Sequence, residues 1–339
     1  TTTALTESPV IPCSLTVFAL NESGTVIQHG KNRVYSLKLY NDYELARDFI
    51  PVVRVSDSVA GLYDLVEGKF YTNKGTGTFV TGEVISEGIT VENGAKLTII
   101  GDGKITTESE INALIIEGEV NLIEATIEHT SQTTSFKTIY VAESGILTMD
   151  SGFINGKTGG IDNYGTVKIN EGSIHVSASV ADEWIGAIYT GEGSKLEING
   201  GEFICINSST EATKGAYAVS GYGQKIISGG SFTVTGANAL GIDTQTDGGT
   251  TTTLTILGDP TISANSTLDG GYAYAVRILG SSETNINCTT EVSGGTFNAT
   301  AITAHLARGL YSAYNSGTTL ITGGTIVADG YGIFVDETG

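Results

Sequence analysis

Leu196-Glu197-Ile198-Asn199-Gly200-Gly201-Glu202-Phe203 holds the phrase that decides the fold: two apolar residues in alternation, a glycine pair, then another apolar residue. Alternation with a period of two is the mark of a half-buried strand, and a glycine pair supplies a sharp corner. The phrase recurs upstream as Leu97-Thr98-Ile99 with Gly101, as Leu147-Thr148-Met149 with Gly152 and Ile154, and as Val167-Lys168-Ile169 with Gly172 and Ile174. Downstream it returns in Gly229-Gly230-Ser231-Phe232, Leu254-Thr255-Ile256, Gly294-Gly295-Thr296-Phe297 and Gly323-Gly324-Thr325-Ile326. From Gly172 to Gly201, Gly230 and Asp259 each step is 29 residues, and Gly295 to Gly324 is 29 again. A fixed step with occasional insertions is the signature of a solenoid. Helical repeats would place apolar residues three and four apart, and a propeller blade needs about 40 residues and four strands. The expected fold is therefore all-β: a right-handed parallel β-helix over residues 83–339, with about eight or nine coils. Leu147, Val167 and Leu196 are expected in one inward column, and Ile154, Ile174, Phe203, Phe232 and Phe297 in another.

The bulk numbers agree with many short strands and turns. Glycine contributes 46 of 339 residues, proline only 4, and hydrophobic residues 40%. That apolar share is too high for a disordered chain, and the glycines lack a collagen period. The 17 basic against 37 acidic residues give a net charge of −20, which excludes a basic face for nucleic acid or an anionic membrane. No apolar run approaches the ~18 residues of a membrane span. Cys13, Cys205 and Cys288 are widely spaced and read as unpaired packing residues, with neither a disulfide framework nor zinc spacing. The chain has one methionine, Met149, and reads as a piece of a longer protein with further domains at both ends.

Residues 1–82 differ from the rest in their irregular strand lengths. Candidate strands are Ser14–Leu20, Arg33–Tyr40, Ala46–Arg54, Gly68–Tyr71 and Thr78–Val80. The order Arg33-Val34-Tyr35-Ser36-Leu37-Lys38-Leu39-Tyr40, Arg47-Asp48-Phe49-Ile50-Pro51 and Gly61-Leu62-Tyr63-Asp64-Leu65 is followed by Gly68-Lys69-Phe70-Tyr71-Thr72-Asn73 and Gly75-Thr76-Gly77-Thr78-Phe79. This series resembles the C-terminal part of concanavalin-like, laminin-G-type jelly-roll domains of bacterial surface and prophage proteins. The resemblance implies a partial jelly roll and a bacterial surface setting. It carries over no ligand-binding residue, because the front strands of such a domain are missing.

Parallel β-helices of the pectate-lyase-like type often carry polysaccharide lyases or hydrolases, which need acidic calcium ligands beside an Arg or Lys, or two or three Asp/Glu facing the sugar. After residue 82 the arginines are Arg277 and Arg308, each beside apolar residues with no acidic cluster at matching positions. Asp243 and Asp247 read as solvated turn residues in a Thr/Gly loop, as do Asp182 and Glu183 before Trp184. His29, His129, His175 and His305 are scattered without a motif, and the calcium-binding nonapeptide is absent. No catalytic residue, metal site or cofactor is expected. Sequons at Asn21, Asn207, Asn265, Asn287 and Asn298 are attributed to composition.

One pattern stands out. A tyrosine sits between small or apolar residues at Tyr140, Tyr189, Tyr217, Tyr274, Tyr311 and Tyr331. Period two puts these rings on the side opposite the core, where one aromatic ladder would match an extended glycan. The competing view is that the rings brace the solenoid. The expected function is a non-catalytic adhesin or stalk module, extracellular or on the cell surface, whose partners are host or bacterial surface glycans. A phage or prophage receptor-binding fibre is the alternative, and a polysaccharide-degrading enzyme with an atypical site is the second.

Overall fold

The computed structural model describes residues 20–22, 25–27, 37–41, 43–54, 59–73, 88–101, 103–108, 110–131, 136–210, 213–246, 251–280, 288–313 and 317–336. The chain divides into two compact units, Thr1–Val84 and Ile85–Gly339. In the first, strands Leu37–Asn41, Glu44–Arg54, Val59–Asp64 and Lys69–Tyr71 form an antiparallel sheet in sequence order, and Leu20–Glu22 pairs antiparallel with Thr25–Ile27. Asp64 is buried there, accepts the backbone N–H of Asp48 at 3.1 Å and faces Arg47 at 3.4 Å. The expected strand Thr78–Val80 and nearly all of Ser14–Leu20 lie outside the described residues.

The second unit is a right-handed parallel β-helix. Three sheets of ten, nine and nine strands run its length, and each strand pairs in parallel with the equivalent strand of the next coil. Two of the sheets carry nine strands, in line with the expected eight or nine coils, and the first sheet adds a tenth rung. Among the described residues the one helical element is the short 3-10 turn Ala304–Leu306, and no helix is long and apolar enough to cross a membrane.

The columns follow from alternation. Val120, Leu147, Val167, Leu196, Lys225, Leu254 and Thr290 stack in register, all buried. Ile154, Ile174, Phe203, Phe232, Ile262 and Phe297 form a second buried column, with the rings of Phe203 and Phe232 parallel at 4.5 Å. Each Leu, Ile, Val or Phe in these columns contributes about 1.5–3 kcal/mol on burial. At the corner before the third sheet, the second glycine takes positive φ, as at Gly201 (97°) and Gly230 (96°). A Cβ on the first glycine would collide with the coil below: at Gly229 it would stand 2.2 Å from the carbonyl oxygen of Asn199. The residue equivalent to Gly230 in the next coil is Pro260 and not Asp259, since Ser231 pairs with Thr261; that step contains one inserted residue.

Candidate functional site

The first sheet does not keep period two throughout. Gly160, Ala187, Ala218, Gly241, Ala275 and Gly309 are skipped in the pairing between coils. A Cβ at Gly241 would meet the Ala275 carbonyl oxygen and Ile262 Cγ2, both at 2.3 Å, so the position admits only a very small residue. The skip turns two consecutive residues inward and leaves outward residues on either side, three positions apart. Two outer columns result. One contains Tyr140, Asp162, Tyr189, Ser220, Asp243, Arg277, Tyr311 and Phe334. The other contains Gly159, Gly186, Tyr217, Leu240, Tyr274, Arg308 and Tyr331.

The six tyrosines therefore do not share one ladder. Tyr140, Tyr189 and Tyr311 belong to the first column, and Tyr217, Tyr274 and Tyr331 to the second. Tyr217, Tyr274 and Tyr311 are buried at 9%, 8% and 9% exposure, Tyr140 and Tyr189 are partly exposed, and Tyr331 is exposed. Several rings cover bare backbone: a Cβ on Gly186 would fall 1.8 Å from the Tyr217 ring, and one on Gly191 would fall 2.3 Å from that of Tyr164. Tyr272, Tyr274, Tyr311 and Phe334 stack in succession, at 4.8, 4.7 and 6.0 Å between centroids. The Arg308 guanidinium lies 4.0 Å from the Phe334 centroid, 4.7 Å from Tyr311 and 5.2 Å from Tyr274. This part of the face braces adjacent coils.

Asp243 is no solvated turn residue. It is fully buried in strand Ala239–Gln245, where Arg277 of the next coil grips it through Nε at 2.7 Å and Nη2 at 3.0 Å. Ser220 donates its hydroxyl from the preceding coil at 2.7 Å, and Gln245 donates its amide. Burial alone would raise the Asp243 pKa, but the charge and hydrogen bonds of Arg277, with those of Ser220 and Gln245, hold the carboxyl below its ordinary value. Asp247 and His29 lie outside the described residues, while Asp182 and Glu183 are exposed in a turn. Cys205 and Cys288 are buried free thiols, the former pushed up to about 12 by burial, whereas Cys13 lies outside the described residues. Asn207 is buried with its amide bonded to the carbonyls of Val180 and Gly215, so its sequon is not presented on the folded surface.

Asp162 sits in the same column as Asp243, directly between Tyr140 and Tyr189. Desolvation raises its pKa from 3.8 to about 6, with Lys137 opposing the rise. The folded state thus keeps a proton that the unfolded chain releases near 3.8, and stability is expected to fall as pH rises from about 4 to 6. Asp162→Asn is expected to stabilise the protein by about 2–3 kcal/mol at pH ~7.5 and by nothing near pH ~3.5, as urea melts at the two pH values would show. An Asn variant no more stable than the wild type at the higher pH would contradict this.

A shallow, open groove of about 470 Å³ follows the glycine corners, lined by Glu124, Phe153, Glu171 and Glu202, but no three His, Cys, Asp or Glu among the described residues are arranged to hold a metal ion. Fold and face together define this unit as a parallel β-helix with an outer face of aromatic and ion-paired residues. No protein family, curated protein or solved structure matches the chain.

Proposed function

We propose that the protein is a non-catalytic extracellular surface module, an adhesin or stalk that offers the outer face of its first sheet to glycans. The antiparallel first unit is read with it as part of a jelly-roll-like module. The spacing of the carboxylates carries the reading. Asp162 and Asp243 share a column but stand three coils apart, which is about 14 Å at ~4.8 Å per coil. Paired carboxyl groups that hydrolyse glycosides work at roughly 5–9.5 Å. Asp243 is also held ionised by Arg277 and is unsuited to giving up or taking a proton near neutral pH. A solenoid whose coils are linked rung by rung along its axis resists bending, which suits a spacer.

The rings accessible to a sugar are narrowed to Tyr140, Tyr164 and Tyr189, with Tyr331 further along. Tyr164 packs 5.6 Å from Tyr140 and 6.2 Å from Tyr189, making a continuous aromatic surface across three coils. On a glycan array, the double variant Tyr140→Ala/Tyr189→Ala is expected to bind about tenfold more weakly than wild type, each ring contributing roughly 0.5–1.5 kcal/mol. Unchanged array binding would remove this face from the reading, and product release from a polysaccharide panel would replace the module with an enzyme.

A further inference from the structure

We propose that Asp162 and the rings of Tyr140, Tyr164 and Tyr189 form a binding site for an alkylammonium cation. The two carboxylates of the outer column make the comparison within one molecule. Asp243 meets an arginine, a serine and a glutamine. Asp162 is half-buried and receives no hydrogen bond from the described residues. A desolvated carboxylate without donors is costly and favours either a proton or a cation beside it. Lys137 is the one described cation that acts on it, and the stem of Lys137 is occupied in covering Gly159, where an added Cβ would stand 2.1 Å from its Cδ.

The walls favour a carbon-bearing cation over a metal ion. Tyr140 and Tyr189 are the strand partners of Asp162 in the coils before and after it, and the Tyr164 ring, two residues along the chain, packs 5.6 Å from Tyr140 and 6.2 Å from Tyr189. Ring faces attract alkylammonium groups, and more strongly where water is excluded. Asp162 belongs to no group of three or more His, Cys, Asp or Glu among the described residues, so the set of carboxylates that calcium or magnesium favours is not assembled there. Neighbouring coils reinforce the boundary: Tyr217 lies flat over Gly186, and Trp184 packs 6.5 Å from Tyr217. The inference goes beyond the glycan reading, and its probes contain no sugar.

Titration of the whole chain with choline and with its uncharged tert-butyl analogue, followed by tyrosine fluorescence or calorimetry, separates charge from shape. Choline is expected to bind at least about tenfold more tightly than the analogue, and Asp162→Asn to abolish that preference. Since Asp162→Asn is expected to be the more stable protein near neutral pH, a loss of binding cannot be ascribed to unfolding. Tyr164→Ala, at a partly exposed ring, should weaken choline binding several-fold, and affinity should fall below about pH 6 as the proton competes for the carboxylate. Equal binding of choline and its analogue, retention of the preference in Asp162→Asn, or no binding of choline overturns the proposal.

Discussion

Arg277→Ala is expected to lower stability by about 3–5 kcal/mol, more than any other surface-column substitution, because it leaves the Asp243 carboxylate buried without its counter-charge. The guanidinium supplies two of the charge-assisted hydrogen bonds to Asp243, and the hydroxyl of Ser220 and amide of Gln245 cannot replace the charge. Two further measurements distinguish this cause from simple loss of packing. Removing both partners in Asp243→Ala/Arg277→Ala should cost less than the sum of the single changes, since no orphaned charge remains. The Arg277→Ala defect should also shrink at acidic pH, where Asp243 can take up a proton. Additive losses in the double variant and a defect independent of pH would show that the pair contributes only by shape.

Lys225→Met is expected to act in the opposite direction. Lys225 occupies a position that Leu196 fills in the coil before and Leu254 in the coil after, and it is fully buried. Its ammonium turns to the corner and donates to the carbonyls of Gly221 at 2.7 Å and Tyr222 at 2.8 Å, and to the Thr244 hydroxyl at 3.1 Å. Desolvation nevertheless lowers its pKa from 10.5 to about 7, with Cys288 and Asp243 opposing. The unfolded chain holds the proton up to 10.5 and the folded chain only to about 7, so stability rises with pH across that window. Below it the folded state carries the full penalty, on the order of 5 kcal/mol from ~3.5 pKa units. Methionine removes the titration, but it also strands the acceptors that the ammonium served, at about 1 kcal/mol each. The firm expectation is therefore a difference: the effect of Lys225→Met should move in favour of the variant by ~4 kcal/mol between about pH 10 and about pH 6. Denaturant melts of both proteins across this range would show it, and parallel stability curves would refute it.

The fold was legible because it rests on a local rule repeated many times. Leu147, Val167 and Leu196, or Ile174, Phe203 and Phe232, advertise their columns by alternation and by the glycine pair. The outer face was less legible for a physical reason. Its tyrosines attract the eye, but the fixed points of the strand are the small residue and the apolar residue after it. Gly160-Ile161-Asp162, Ala187-Ile188-Tyr189, Ala218-Val219-Ser220, Gly241-Ile242-Asp243 and Ala275-Val276-Arg277 align on that pair. Anchored there, Asp243 falls beside Arg277, and Tyr217 leaves the column of Tyr189. The tyrosines would form one ladder only with unbroken period two, which the skipped residue interrupts. The Asp243–Arg277 pair was further hidden by a step of 34 residues between its strands. Lys225 gave no local signal at all, since a lysine between glutamine and isoleucine in an alternating strand reads as outward until its rung is fixed by Leu196 and Leu254.

Successive rungs of the first sheet are separated by 31, 23, 34 and 34 residues from Ile188 through Val219, Ile242 and Val276 to Leu310, yet all pair directly. Chain length is thus absorbed outside the rungs, where it disturbs neither the columns nor their spacing. Such a chain can gain or shed residues between its rungs while the outer columns and the buried stacks persist unaltered.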